Sequence, residues 1–479
     1  MEYLGWLLVG LLLGGGIAFF AFRYKSGVFG GGESESVVPL LSKHFHPVAT
    51  TNVTISERKF PFRVRADLQR AIDRLFSEET KILHFCGIRK DFAHEGVSLT
   101  DCLVTSSHYP TVSVPPEYEE LDVGDATPVR VLKIGLWLLE KRGVRFSVLL
   151  SPAGRRYEQV TGIQFQVGTP NSPEGTQISN DFFNHLEKAV LNAESYRGKV
   201  LSLEQAPHSY TGESSGITVH KIRTVCRDQL VLPESTLKLL ERNVIQFVKQ
   251  RERLTNFKQE TKKGILLCGP PGTGKTHTIH YLINALKDHT TLLISAEQVG
   301  LLSEYMTLAR LLQPSIVVIE DVDLIARDRA NLNGPCAEAM LNKLLNEMDG
   351  LKPDADILFI LTTNRPETLE AALASRPGRV DQAIEYPLPD ETGRHKLIRL
   401  YSQGVRLADE VVTEMVRRTE GVSPAFIKEL MRRSVQFHVE RDGTGDISMD
   451  DVTSALDEML ACGLNLKLLG AKLPIGFNG

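Results

Sequence analysis

Cysteine is scarce in this chain. Six occur in 479 residues, namely Cys86, Cys102, Cys226, Cys268, Cys336 and Cys462, and no two form a CxxC pair. That spacing argues against a zinc ribbon and a disulfide framework and favours a reducing compartment. A basic excess is also missing: 55 Lys and Arg stand against 59 Asp and Glu, a net charge of −4. Nucleic-acid partners usually leave a basic surplus or patch, so none is expected. Long apolar runs are absent too, with one exception at the N-terminus. The remaining composition, 42% hydrophobic and 24% charged, is that of an ordinary globular chain able to bury sizeable cores.

The exception is Leu4 to Phe22, nineteen positions without a charge. As a helix it rises about 28 Å, close to the roughly 30 Å hydrocarbon core of a bilayer. A cleaved signal peptide would want a basic start and a small-x-small cleavage site. Neither is present, because the chain opens Met1-Glu2-Tyr3 and the run ends Phe19-Phe20-Ala21-Phe22. Residues 4–22 therefore predict a single transmembrane anchor. Arg23 and Lys25 follow it, which places the rest of the chain on the cytoplasmic side.

A Gly- and Ser-rich linker at 23–36 leads into a mixed α/β region at 37–203. There Leu68, Ala71, Ile72, Leu75 and Phe76 recur at helical spacing, and Asn180 to Ser195 predicts a second amphipathic helix. Ile163, Phe165 and Val167 alternate with Gln164 and Gln166, as in a half-buried strand. Lys141-Arg142-Gly143 marks a hairpin turn. A polar stretch at 204–220 predicts a second linker. Beyond it, Ile265–Leu267, Leu292–Ile294, Ile316–Ile319 and Ile357–Leu361 are short apolar runs separated by helical segments. That alternation predicts a parallel α/β core at 221–390. A helical lid at 391–465 and a tail at 466–479 complete the chain, since no strand-like run follows Pro389.

Chemistry concentrates in the core. Gly269-Pro270-Pro271-Gly272-Thr273-Gly274-Lys275-Thr276 satisfies the P-loop pattern between an apolar strand and a helix. Its glycines let backbone N–H groups curl round phosphates at a helix N-terminus. Lys275 is suited to the β and γ phosphates, Thr276 to Mg²⁺, and His277 is next in the nucleotide-contacting helix. Ile316-Val317-Val318-Ile319-Glu320-Asp321 presents two carboxylates at the C-terminal end of a buried strand, where open α/β sheets bind ligands. ATP and Mg²⁺ are the cofactors this pattern predicts.

With these motifs, residues 231–460 resemble the AAA ATPases. The resemblance implies a P-loop NTPase fold with a C-terminal helical lid. It implies that Asn364, in Thr362-Thr363-Asn364, senses the γ-phosphate or the attacking water. It implies that Arg376 and Arg379, in Ala374-Ser375-Arg376-Pro377-Gly378-Arg379, are fingers reaching a neighbouring copy's site. A ring oligomer, hexameric by family default, follows from that. Ala425, in Gly421-Val422-Ser423-Pro424-Ala425, matches the nucleotide-contacting start of a lid helix, with Pro424 where the family has Gly. The family's second strand motif ends Asp-Glu, whereas this chain has Glu320-Asp321. That order resembles the branch holding the mitochondrial Rieske-protein translocase, which also carries an N-terminal anchor.

The family's substrate-threading loop shows an aromatic residue before an aliphatic and a glycine. Ser295 to Leu301 has Val299-Gly300 with no aromatic. Threading by aromatic paddles is therefore not expected. Two other patterns read as decoys: Gly212 to Gly216 fits a GxSxG elbow inside a polar stretch, and His94-Glu95 lacks the second His of a zinc protease. The resulting expectation is a membrane-anchored ATPase that remodels, unfolds or translocates proteins, with the N-terminal domain reading a substrate or adaptor. The competing expectations are a nucleotide-gated assembly scaffold with little turnover and a translocase of folded proteins.

Overall fold

The computed structural model describes residues 36–461 apart from 79, 91–96, 105–108, 154–161, 205–207, 210–211, 214–215, 324–342, 345, 353–354, 367–379, 442 and 444. The predicted anchor and most of its linker, the tail, Arg376, Arg379, His94 and Ser214 lie outside the described residues. Among the described residues no helix is long and apolar enough to cross a membrane.

The N-terminal region is built from α1 (Val37–Phe45), β1 (Val53–Pro61), α2 (Arg65–Glu78), β2 (Lys81–Lys90), α3 (Leu99–Leu103), β3 (Thr111–Val114), β4 (Tyr118–Leu121), β5 (Val129–Leu132), β6 (Gly135–Lys141), β7 (Val144–Ala153), β8 (Gly162–Pro170) and α4 (Pro173–Asn192). Six strands form an antiparallel sheet in the order β1-β8-β7-β6-β2-β3, and β4 and β5 pair as a separate ribbon. Arg142 (φ 52) and Gly143 (φ 80) make the two-residue turn between β6 and β7, the left-handed pair that a tight hairpin requires.

Both faces of this sheet are covered. Leu68, Ile72, Phe182 and Leu186 from α2 and α4 pack on Trp137, Phe146, Val148 and Phe165. On the other face, Val37, Leu41 and Leu99 from α1 and α3 pack on Leu136, Leu138 and Leu149. The half-buried reading of β8 is therefore corrected: Gln164 and Gln166 are buried along with their apolar neighbours, at 9% and 6% exposure. Hydrogen bonds make this tolerable, because Gln164 donates to Ser151 Oγ at 3.0 Å and Gln166 accepts from the backbone N–H of Leu99 at the start of α3. The second helix also starts earlier than its periodicity suggests. Ser172 caps α4 by accepting from the Gly175 N–H, and Pro173 occupies the first turn.

The following elements are β9 (Val200–Leu203), a two-residue hairpin of β10 (His208–Ser209) and β11 (Gly212–Glu213), β12 (Ile217–Val219), α5 (Glu234–Leu240), α6 (Phe247–Lys249), α7 (Arg251–Asn256), β13 (Lys263–Cys268), α8 (Lys275–Ala285), β14 (Thr290–Ile294), α9 (Leu302–Leu311), β15 (Ser315–Ile319), β16 (Ile357–Thr363) and β17 (Gln382–Glu385). They form one seven-stranded sheet in the order β12-β9-β14-β15-β16-β13-β17. All its pairings are parallel except that of β12 with β9. Two expected boundaries are corrected here. β9, assigned to the N-terminal region, extends the core sheet, and the expected linker 204–220 contains β12 as its edge strand. The physical reason is burial: Leu201, Leu203 and Ile217 join Leu292, Ile294 and Tyr305 in one apolar cluster, together with Leu121 and Val131 of the ribbon. The N-terminal region is thereby packed against the core sheet. Four helices close the described chain: α10 (Glu391–Tyr401), α11 (Asp409–Arg418), α12 (Pro424–Glu440) and α13 (Met449–Ala461). They share their own core of Ile398, Met415, Ile427, Leu430 and Val452.

Candidate functional site at the ends of β13, β15 and β16

Strands β13, β15 and β16 are central, so their side chains are buried on both faces and their C-terminal ends open at one rim. β13 runs into Gly269–Gly274, and α8 begins at Lys275. Gly269 is fixed by crowding, since a Cβ there would lie 2.3 Å from the Tyr386 carbonyl oxygen. Gly272 has φ +76, and a Cβ on it would meet the Ala425 Cβ at 2.8 Å. The loop thus passes tightly between the chain after β17 and the lid, and only glycine fits at both points.

Lys275 is buried, and its Nζ donates to Gly269 O at 2.7 Å, Pro270 O at 3.0 Å and Asn364 Oδ1 at 2.8 Å. Burial pushes its pKa down, while Asp321 and Asp323 pull the other way. Three neutral acceptors hold an ammonium that phosphate oxygens would hold better. The Thr276 hydroxyl donates to Glu320 Oε1 at 3.0 Å, which sets a hydroxyl against a carboxylate beside the loop. Hard oxygen donors of this kind fit Mg²⁺, which takes one or two carboxylates and completes its shell from water and phosphate.

Asp321 leaves β15 in the left-handed region (φ 49), with its N–H donating to Thr362 Oγ1 at 2.9 Å. Its Oδ1 accepts from Asn364 Nδ2 at 2.9 Å. The Asn364 amide therefore bridges Lys275 at the start of α8 and Asp321 just after β15. Pro270, Pro271 and Thr273 complete the loop, and Thr273 Oγ1 closes it by donating to Pro270 O at 2.8 Å. Of the sequence-derived candidates, Gly269 through Thr276, Glu320, Asp321 and Asn364 come together here.

A cavity of about 500 Å³ opens above the loop, within the size range of ligand pockets. Gln229, Leu230, Val231 and Leu232 line one side, and Leu397, Leu400, Tyr401, Ala425 and Lys428 of the lid line the other. The leucines and Tyr401 in its walls suit a flat ring, and the glycine loop with Lys275 suits an anion. Ser423 caps α12, and the Ala425 N–H donates to Gly272 O at 3.1 Å, so Pro424 at the first helical position leaves this contact intact. His277 also lines the cavity. Burial holds its pKa below the usual imidazole range, against an opposing hydrogen bond with the Gln229 backbone.

Sequence reasoning missed Asp323, Thr362, Lys428 and the 229–232 wall. Asp323 was the findable one, as a third acid following the buried strand. The wall carries no local signal, because it gains meaning only when the lid folds against it. The Ser295–Leu301 stretch forms a 3₁₀ turn with Val299 buried. Gln298 Nε2 donates to Leu203 O at 2.8 Å, and the Leu203 N–H donates to Tyr305 Oη at 2.7 Å. This loop is pinned onto β9. His44, one of two histidines spaced two apart, is buried with its Nε2 3.0 Å from Phe146 O, while His46 is exposed. Among the described residues no group of three or more His, Cys, Asp or Glu is arranged to hold a metal by itself.

Residues 265–388 match the family described as "ATPase family associated with various cellular activities (AAA)". The chain is similar to the ATP-dependent zinc metalloprotease FtsH 3 of Synechocystis sp., at 33% identity over 242 residues, covering 48% of this chain and 39% of the relative. It is also similar to the proteasome-activating nucleotidase of Methanothermobacter thermautotrophicus, at 31% identity over 258 residues, covering 51% of this chain and 62% of the relative. A second such nucleotidase, from Methanopyrus kandleri, is 35% identical over 226 residues, or 44% of this chain and 51% of that protein. About half of this chain is thus shared with these relatives, and it spans less than two thirds of each.

Proposed function

We propose that this chain, which carries an AAA ATPase domain at residues 265–388, hydrolyses Mg·ATP in a ring of its own copies and uses the energy to remodel, unfold or translocate proteins at a membrane. The observation that carries the reading is the convergence of Lys275, Thr276, Glu320, Asp321 and Asn364 at one sheet rim beneath a cavity of nucleotide size. In this reading the loop N–H groups and Lys275 hold the phosphates, and Thr276 with Glu320 would hold a Mg²⁺ ion, which would supply positive charge against the phosphates. Asp321, held by Asn364, orients and deprotonates the attacking water. Arg376 and Arg379 of a neighbouring copy stabilise the transition-state charge. The Leu4–Phe22 run anchors the chain once, with the ATPase on the cytoplasmic side, and the N-terminal region reads the substrate or adaptor. The relatives' names, an ATP-dependent zinc metalloprotease and a proteasome-activating nucleotidase, support protein as the substrate class.

One observation favours a second reading, a nucleotide-gated scaffold with little turnover. The acid at the base position is the short Asp321, and its Oδ1 is already engaged by Asn364. Steady-state ATPase measurement separates the two. Turnover by the wild type that falls to background in Asp321→Asn, with ATP binding retained, supports the enzyme. Equal, background-level turnover in both supports the scaffold.

A further inference from the structure

Asp323 lies two residues beyond the Glu320-Asp321 pair and is 2% exposed. Its Oδ1 accepts from the Thr363 hydroxyl at 3.0 Å and from the Asn364 backbone N–H at 3.1 Å. The same Thr363 hydroxyl accepts from the Arg365 N–H at 3.0 Å. One carboxylate therefore anchors three consecutive residues at the point where β16 ends. Thr363 is the last residue of that strand, and Asn364 is the first without a ladder bond to hold its backbone.

The side chain of Asn364 has a demanding task. Its oxygen accepts from Lys275 and its nitrogen donates to Asp321, in opposite directions. A rotation of the backbone beneath it misaligns both bonds at once, and hydrogen bonds weaken steeply with angle. We propose that Asp323 is a positioning residue for ATP hydrolysis: it fixes the Asn364 backbone so that the amide spans the phosphate-binding lysine and the water-orienting carboxylate. The inference rests on the reading of this site as a hydrolytic one. The bland alternative is that Asp323 merely stabilises the strand end.

The test uses full-length protein and three readouts: kcat, the dissociation constant of ATP, and thermal midpoint. Asp323→Ala is expected to lower kcat by about tenfold or more with ATP affinity nearly unchanged, because the lost interaction serves the transition state. Asp323→Asn keeps an oxygen acceptor and is expected to restore most of the turnover. Asp323→Ala combined with Asn364→Ala is expected to be no slower than Asn364→Ala alone, since one residue acts through the other. Thr363→Val cuts the same anchor more gently and takes the place of Asp323→Ala if that variant does not fold. Full turnover in Asp323→Ala, or a double variant slowed by the product of the two single factors, overturns the inference alone. A wild type with no turnover overturns the hydrolytic reading and this inference with it.

Discussion

The two large sheets of this protein do different work, and the core sheet is the more deeply buried, since β1, β2 and β3 of the N-terminal sheet are largely unburied whereas β13, β15 and β16 are buried almost throughout. The seven-stranded sheet is parallel across its centre, so β13, β15 and β16 all end at one rim and deliver a loop, two acids and an amide to the same place. The six-stranded N-terminal sheet is antiparallel, so its strand ends alternate between rims and its polar residues are spent on structure. Gln164 and Gln166 bond Ser151 and the start of α3. The difference is one of topology: parallel strands collect chemistry, whereas an antiparallel sheet between two helical layers makes a rigid block.

The sharpest way to break that comparison is to remove one group from each sheet. Lys275→Ala is expected to lower ATP turnover by at least about a hundredfold, through lost phosphate binding and transition-state stabilisation, with little change in thermal midpoint. Phe165→Ala, in the middle of β8, is expected to destabilise the N-terminal region by about 3–5 kcal/mol, read by chemical denaturation, while the folded fraction still binds ATP. If Phe165→Ala abolished ATP binding in folded protein, the two sheets would not be separable in function. A smaller effect is expected at the contact of Tyr305 and Gln298 with Leu203, inside the core region. Tyr305→Phe leaves the buried Leu203 N–H without its acceptor and is expected to cost about 1–3 kcal/mol by denaturant titration.

The smallest effect is expected in the lid. The Arg432 guanidinium, with Arg433, holds the Glu429 carboxyl down to about 2. A carboxylate depressed in the folded state adds stability that is fully present above its unfolded value near 4.5 and lost as pH falls towards about 2. Solvent screening keeps this contribution small. Glu429→Gln is therefore expected to lower the thermal midpoint slightly at pH 7 and not at all near pH 2.

How much of this was legible beforehand follows the same division. The runs at 265–267, 292–294, 316–319 and 357–361 were readable because strands buried on both faces are continuously apolar. Each lies inside an observed strand. The loop from Gly269 to Thr276 was readable because its glycines answer a backbone need that no other residue meets. β9 and β12 were not readable as core strands, because β9 joins the core sheet only through β14, about ninety residues on, and β12, a three-residue strand in a polar stretch, only through β9. Periodicity misjudged β8, since a buried glutamine looks exposed until its partner is known. Asp323 carried a local signal as a third acid after the buried strand, whereas the 229–232 wall acquires meaning only through contacts made by distant segments.

The central claim is that each site is gripped by one copy and finished by another. Its most direct test mixes two variants that are each inactive, Lys275→Ala and Arg379→Ala, and measures ATP turnover after co-assembly. The account predicts recovered turnover in the mixture, because an intact loop then meets an intact arginine across the interface. A mixture as silent as its components, or an Arg379→Ala variant active by itself, would contradict it.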